Sequence, residues 1–319
     1  MQDASRPMVI AIEEHYTDPE VTQYYKEPRP PHIVKKLEDR GEIRLKEMDE
    51  AGVDMQVISH GAPALQRLDT DIAVALAPKV NDRLHAMVQA NPQRLQAFAA
   101  LPTGDPKAAA NELERCVNKL GFRGAMLHGL SREGRFLDEK EFWPIYERAQ
   151  ALDVPVYMHP APPSKAVVDA YYKEYANDYP QILSAGWGYT VETATQGLRM
   201  VLSGMFDAYP NLKVILGHFG EGLPFLLWRV DSALSRPGNK GGSFRKVFSD
   251  HFYITTSGNF SDPALICTVM ELGVDRILFA IDWPFVSNPP GVDWVKRIPL
   301  CEEDRAKIMG GNARRLLKL

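Results

Sequence analysis

The sequence predicts an α/β protein of the (β/α)8 TIM-barrel class, formed by one domain over residues 1–319. Three observations point there. A unit of short apolar strand, loop and amphipathic helix recurs eight times along the chain. Several of the strands are near-continuous apolar runs, as expected of parallel strands covered on both faces. No Gly-rich phosphate loop follows the first strand, which disfavours the doubly wound sheet, the other common arrangement of such repeats.

The strands read, in order, VIAIEEH (9–15), VDMQVISH (53–60), LQAFAALP (95–102) and FRGAMLHG (122–129). After them come VPVYMHP (154–160), LKVILGH (212–218), FYITTSG (252–258) and RILFAIDWP (276–284). Between them lie apolar stripes of helical period. Val80, Leu84, Met87 and Val88 form one, and Phe142, Ile145, Tyr146, Ala149 and Leu152 form another. Gly52 and Gly121 stand where two helices should stop before the next strand. The segment CEEDRAKIMGGNARRLLKL closes the chain as a last helix. Two connections exceed the usual few residues: 16–33, after the first strand, and 161–190, after the fifth. The second carries Tyr171, Tyr172, Tyr175, Tyr179, Trp187 and Tyr189. Both leave the C-terminal face of the barrel, so they are expected to be lid loops and pocket walls that a neighbouring subunit could share.

A hydrophobic fraction of 45% and a charged fraction of 24% suit an ordinary soluble protein. The net charge of −4 argues against a nucleic acid or an acidic membrane as partner. No apolar run approaches the roughly 20 residues that span a bilayer. Acids interrupt the N-terminal MQDASRPMVIAIEEH before a signal-like apolar stretch can form, so a cytoplasmic location is expected. Cys116, Cys267 and Cys301 are odd in number, far apart and without a CxxC pair, and Cys116 falls on a helical apolar stripe.

Polar residues collect at the strand ends. The first strand ends in Glu13-Glu14-His15, the second in His60, the fourth in His128, the fifth in His159, the sixth in His218 and the eighth in Asp282. Five of the eight histidines therefore occupy C-terminal strand ends, which a barrel brings to one mouth. Glu13 and His15 share a face at i, i+2, and His159 and Asp282 complete a four-residue set for one divalent metal ion per chain. Mixed imidazole and carboxylate ligands suit Zn2+ and equally Mn2+. Glu14 faces the other way and is expected in a structural ion pair. His60 and His128 stay open between structural and chemical roles. His32, His85 and His251 lie on a loop, on a helix and before a strand, and no role is assigned to them.

Read together, AIEEH (11–15), FAALP (98–102), YMHP (157–160), VILGHFGEGLPFLLWRVD (214–231), ITTSGNF (254–260), RILFAIDWPF (276–285) and GNARRLLKL (311–319) resemble the amidohydrolase superfamily. The resemblance lies in its amidohydrolase-2 branch, similar to aminocarboxymuconate-semialdehyde decarboxylase, and within that to the γ-resorcylate (2,6-dihydroxybenzoate) decarboxylase group. It runs from end to end of the chain. It implies the same ligand set, Glu13, His15, His159 and Asp282. It further implies that His218 acts on the substrate, that Glu221 orients His218, and that Arg229 and Phe285 belong to the substrate pocket. His128 and Trp187 are placed at that pocket as well. Hydrolytic branches commonly open with His-x-His and many carry a carbamylated lysine on the fourth strand. Here Glu13 and His128 stand instead, which points to a mononuclear site. His128 and the loop after YMHP depart from the decarboxylase pattern and bear on substrate preference.

The resemblance implies non-oxidative decarboxylation of an ortho-hydroxylated aromatic carboxylic acid, with Asp282 protonating the ring carbon. The competing reading is a metal-dependent hydrolase or hydratase acting on a lactone, amide or unsaturated acid. The expected partner is a small aromatic carboxylate, and a homodimer or homotetramer is expected by analogy with the family.

Overall fold

Eight parallel strands form in a computed structural model that describes residues 6–25 and 29–319. They are β1 (Ile10–Tyr16), β2 (Met55–His60), β3 (Leu95–Ala97) with its continuation β4 (Ala99–Ala100), and β5 (Ala125–His128). The others are β6 (Val156–His159), β7 (Val214–Leu216), β8 (Phe252–Thr255) and β9 (Ile277–Leu278). β3 and β4 are halves of one strand interrupted at Phe98, whose N–H donates to Ile58 O at 2.9 Å. Ala99 N then donates to Gly124 O at 2.8 Å, carrying the pairing on to β5. The ring closes between the first and last strands. Ile12 N donates to Phe279 O (3.2 Å), His15 N to Trp283 O (2.7 Å) and Asp282 N to Glu13 O (2.9 Å). Each strand is followed by a helix on the outside of the ring. Two of them, Thr70–Ala90 and Pro106–Leu120, carry the buried Leu84 and Leu113. Gly52 and Gly121 end their helices in the left-handed conformation, φ 81° and 72°, as the sequence requires.

Side chains alternate between two cores. Ile10, Ile12, Val57, Phe98, Met126, Tyr157, Ile215 and Leu278 fill the barrel, and Ala313, Leu316 and Leu317 of the C-terminal helix pack against them. Ala11, Ile58, Leu127, Val156, Met158 and Leu216 face outward into the core shared with the surrounding helices. A fully buried residue of this size contributes on the order of 2 kcal/mol.

One strand breaks the alternation. Ile10 pairs with Met55 and Ala11 with Gln56, but Glu14 already pairs with Ile58. Ile12 and Glu13 therefore both stand against Val57, which makes a β-bulge. Past the bulge the faces are exchanged: Glu13 and His15 point into the barrel, Glu14 and Tyr16 toward the helices. Unbroken alternation from Ile10 and Ile12 would have sent Glu14 inward.

The connection after β1 contains the short helices Pro19–Thr22 and Pro31–Leu37. Tyr25 Oη donates to Ala64 O (2.7 Å) and Arg29 to Ala62 O (2.8 Å), so this connection folds over the loop after β2. In the connection after β6, Tyr171, Tyr175, Tyr179 and Trp187 are each more than half exposed. In a single chain these rings face solvent.

Candidate active site

At the C-terminal mouth, one ligand atom from each of Glu13, His15, His159 and Asp282 lies within 4.8 Å of the others. His15 Nε2 is 3.2 Å from Asp282 Oδ1, and His159 Nε2 is 3.3 Å from Glu13 Oε1. Among the described residues Glu13 Oε1, His15 Nε2 and Asp282 Oδ1 are buried without a hydrogen-bond partner. Three orphaned polar atoms facing one another are costly unless something satisfies them together. A divalent ion fits. Ligands held about 2.1 Å from one ion lie roughly 3–4 Å apart, close to the spacings seen here.

The back sides of Glu13, His15 and His159 already have partners, which leaves their fronts free. Glu13 Oε2 accepts from the hydroxyls of Tyr157 and Ser257, so only Oε1 faces the cluster. Tyr157 Oη also sits 2.6 Å from Thr255 Oγ1 and 3.1 Å from Ser257 Oγ. His159 Nδ1 donates to Pro160 O at 2.6 Å, which leaves the Nε2 lone pair for the cluster. His15 Nδ1 lies 3.3 Å from Ser59 Oγ, with Nε2 turned to the cluster. Sequence reasoning missed this hydroxyl set. The usable signal was position, because Tyr157 stands two residues before His159 on the same face of β6.

The electrostatics are mixed. Burial alone would raise the Glu13 carboxyl, but His218, His159 and His15 hold it well below the usual carboxylate range. Burial, then the charge of Glu13, pushes Asp282 up to about 8. Burial lowers His15 to about 4.

His218 follows β7 on an unusual backbone. His218, Phe219, Gly220, Glu221 and Gly222 have φ of 50°, 55°, 71°, 56° and 77°, a left-handed turn that costs roughly 1–2 kcal/mol per non-glycine residue. The turn lets His218 Nδ1 donate to Glu221 Oε1 at 2.7 Å while Nε2 stays 3.8 Å from Glu13 Oε1. Burial opposes the charged imidazole, but Glu221 and Glu13 outweigh it and raise His218 to about 10. Asp282 is also left-handed, at φ 72°. Strain at two such positions is what functional sites commonly retain.

The other residues singled out by sequence divide. The Phe285 ring lies 5.8 Å from that of His15 and is half-exposed at the mouth. His128 is buried, paired in register with His159, its Nδ1 3.1 Å from His159 Nδ1. It is brought to the cluster, behind a ligand. His60 is structural: Nδ1 donates to Gly61 O (2.8 Å) and Nε2 accepts from Asp18 N (3.1 Å). Glu14, expected in an ion pair, makes none within 4 Å among the described residues and accepts instead from two backbone amides. Arg229 and Trp187 are exposed, and no hydrogen bond or ion pair among the described residues joins either to the cluster.

A family model described as amidohydrolase matches residues 18–319. The chain is 41% identical to a γ-resorcylate decarboxylase of Polaromonas sp. strain JS666, over 97% of this chain and 98% of that one. Among solved structures it superposes with a TM-score of 0.91 on a 2,6-dihydroxybenzoate decarboxylase complexed with 2,6-dihydroxybenzoate, at 39% identity over 98% of this chain and 100% of that one. A dihydroxybenzoic acid decarboxylase from Polaromonas sp. JS666, solved with bound manganese and the inhibitor 2-nitroresorcinol, superposes equally well. Its TM-score is 0.91 at 40% identity, over 98% of this chain and 97% of that one.

Proposed function

We propose, for a chain that belongs to the amidohydrolase family, that it is a metal-dependent carboxy-lyase releasing carbon dioxide from an ortho-hydroxylated aromatic acid of the dihydroxybenzoate type. The observation that carries this reading is the four-residue cluster with its orphaned atoms, set at the barrel mouth beside the His218–Glu221 pair. Glu13, His15, His159 and Asp282 would hold one divalent ion, Mn2+ or Zn2+. Bound there, the ion would act as a Lewis acid toward negative charge on the substrate's oxygens.

The chain's own residues account for the rest. Asp282 would deliver its proton to the ring carbon that bears the carboxylate. The bond to the carboxylate then breaks, its electron pair restores the aromatic ring, and carbon dioxide leaves; Asp282 regains a proton from water. His218, held cationic by Glu221, would donate a hydrogen bond from Nε2 to a charged substrate oxygen. Phe285 would pack on the substrate ring, and His128 would shape the pocket from behind His159. Arg229 and Trp187 take a substrate role in this reading only within an assembly. Both are exposed in the single chain, as are Phe225 and Trp228, and a homodimer or homotetramer would cover them. No helix among the described residues is long and apolar enough to cross a membrane.

The test is headspace carbon dioxide against substrate loss, using the manganese-loaded protein and a panel of ortho-hydroxybenzoates. Matched release and loss, lowered on the order of 10²–10⁴-fold in Asp282→Asn, is the expected result. Consumption of lactones or unsaturated acids with no carbon dioxide from any acid would move the protein to the hydrolase or hydratase class.

A further inference from the structure

We infer that Glu14, which lies outside the ligand set and away from the mouth, is a positioning residue that aims Asp282. The inference rests on the functional reading above, in which Asp282 both binds the ion and delivers the proton. Glu14 is completely buried on the outer side of the barrel wall, where the bulge in β1 has turned it. Its Oε1 accepts from Ile281 N at 2.9 Å and its Oε2 from Trp283 N at 3.0 Å. Those two amides flank Asp282. The amide of Asp282 itself donates to Glu13 O at 2.9 Å. Three consecutive amides of one segment are thus held by two consecutive residues of another.

Backbone pairing does only part of this work, through one isolated parallel bridge between Glu14 and Trp283 and the bond from His15 N to Trp283 O. β9 ends at Leu278, four residues before Asp282. The left-handed backbone of Asp282 turns the amides on either side toward one carboxylate, in the manner of an anion-binding nest. Arg44 ties the same bracket to the other ligands. Its Nη2 donates to His15 O (2.5 Å) and its Nη1 to Gln56 Oε1 (2.8 Å), while Gln56 Nε2 lies 3.5 Å from Glu14 Oε2. The guanidinium also sits 4.0 Å over the Trp283 ring. The bracket therefore fixes the backbone of Glu13 and His15 relative to that of Asp282. Closing the barrel needs no buried acid, since backbone hydrogen bonds already close it, and burying a carboxylate is expensive.

The test compares wild type with Glu14→Gln, Glu14→Asp and a control, Leu113→Ala, which loosens the buried face of an outer helix far from the site. For each, the dissociation constant for Mn2+, the thermal midpoint, and kcat and KM for 2,6-dihydroxybenzoate are measured. Both Glu14 variants are expected to bind Mn2+ about 10–100-fold more weakly, the usual effect of losing a group that orients a ligand. At saturating Mn2+ their kcat should fall at least about tenfold with KM nearly unchanged, because proton delivery suffers more than binding. Leu113→Ala should lose thermal stability yet keep wild-type kcat and Mn2+ affinity. Wild-type Mn2+ affinity and kcat in Glu14→Gln, or kcat tracking thermal midpoint across all variants including the control, would overturn the inference. Should Glu14→Gln not fold, Glu14→Asp, one methylene too short to reach both amides, decides alone. A wild type that neither binds Mn2+ nor releases carbon dioxide would overturn the functional reading and this inference with it.

Discussion

Tyr157→Phe tests whether hydroxyls inside the barrel aim the metal-binding face of Glu13. The ring of Tyr157 is completely buried, 6.1 Å from that of Phe98 and packed with Ile215. Phenylalanine fills the same volume, so no cavity opens and the loss is confined to one hydroxyl. That hydroxyl is one of two donors to Glu13 Oε2, Ser257 Oγ being the other. A hydrogen bond to a charged group contributes about 1.5–3 kcal/mol, and the surviving serine keeps the loss near the lower end, about 1.5 kcal/mol. Since 1.4 kcal/mol is tenfold, Mn2+ affinity should fall about tenfold. The metal-free protein should also melt a few degrees lower, because Glu13 then has one partner fewer in a dry site. Isothermal titration with Mn2+ and a calorimetric scan read the two effects separately. A lower melting point with unchanged Mn2+ affinity would show the hydroxyl to be structural only. No change in either would refute the claim that it orients Glu13 at all.

Three other outcomes are expected. Adding Mn2+ at about 100 times its dissociation constant to chelator-treated protein should raise stability by about 2.7 kcal/mol, read as an upward shift of the thermal midpoint, and no shift would contradict the site. Burial lowers His60 from 6.5 to about 4 in the folded chain. A depressed folded value gives stability that is complete above pH 6.5 and is lost as pH falls toward 4, on the order of 3 kcal/mol. Urea unfolding at several pH values should therefore show a shallower slope across that window in His60→Gln, whose amide can still donate to Gly61 O and accept from Asp18 N. Glu221→Gln removes the charge that orients and supports His218, so kcat should fall on the order of 10²-fold with the fold intact by circular dichroism. A kcat within twofold of wild type would remove Glu221 from the mechanism.

How much of this was legible in the sequence follows from what each feature depends on. Every strand was placed, because a parallel barrel strand buried on both faces needs an apolar run and the helices between carry their own period. The last strand was drawn too long. Its regular ladder stops at Leu278, and beyond it only single backbone bonds and the isolated Glu14–Trp283 bridge tie the segment to β1. The four proposed ligands were legible because topology brings strand ends together whatever the loops do. The left-handed turn at 218–222 was not, because only Gly220 and Gly222 hint at it and His218, Phe219 and Glu221 adopt it against their own preference. Arg229 came from resemblance alone and Trp187 from its place in the long loop after the fifth strand, and neither carries information about what a single chain leaves exposed.

The bulge in β1 shows most clearly why local pattern was insufficient. Alternation places Glu13 and His15 on one face and Glu14 on the other, but it does not say which face lines the barrel. Continued from Ile10 and Ile12, it gives the wrong one. What selects the observed register is the chemistry on either side of the wall. Inside, Tyr157 and Ser257 offer hydroxyls to one carboxylate, and the cationic His218 stands 3.8 Å away to offset its charge. Outside, the amides of Ile281 and Trp283 offer a second carboxylate two donors. The alternative register would put Glu14 among the inward groups and turn His15 out toward the helices, so the cluster at the mouth would lose an imidazole. An unpaired buried polar group costs about 1–3 kcal/mol, so stranding His15 among the helices outweighs the small cost of one irregular residue in the ladder. The EEH triplet therefore encodes its own bulge, but only jointly with Tyr157, Ser257 and the backbone around Asp282, residues more than 140 positions away along the chain.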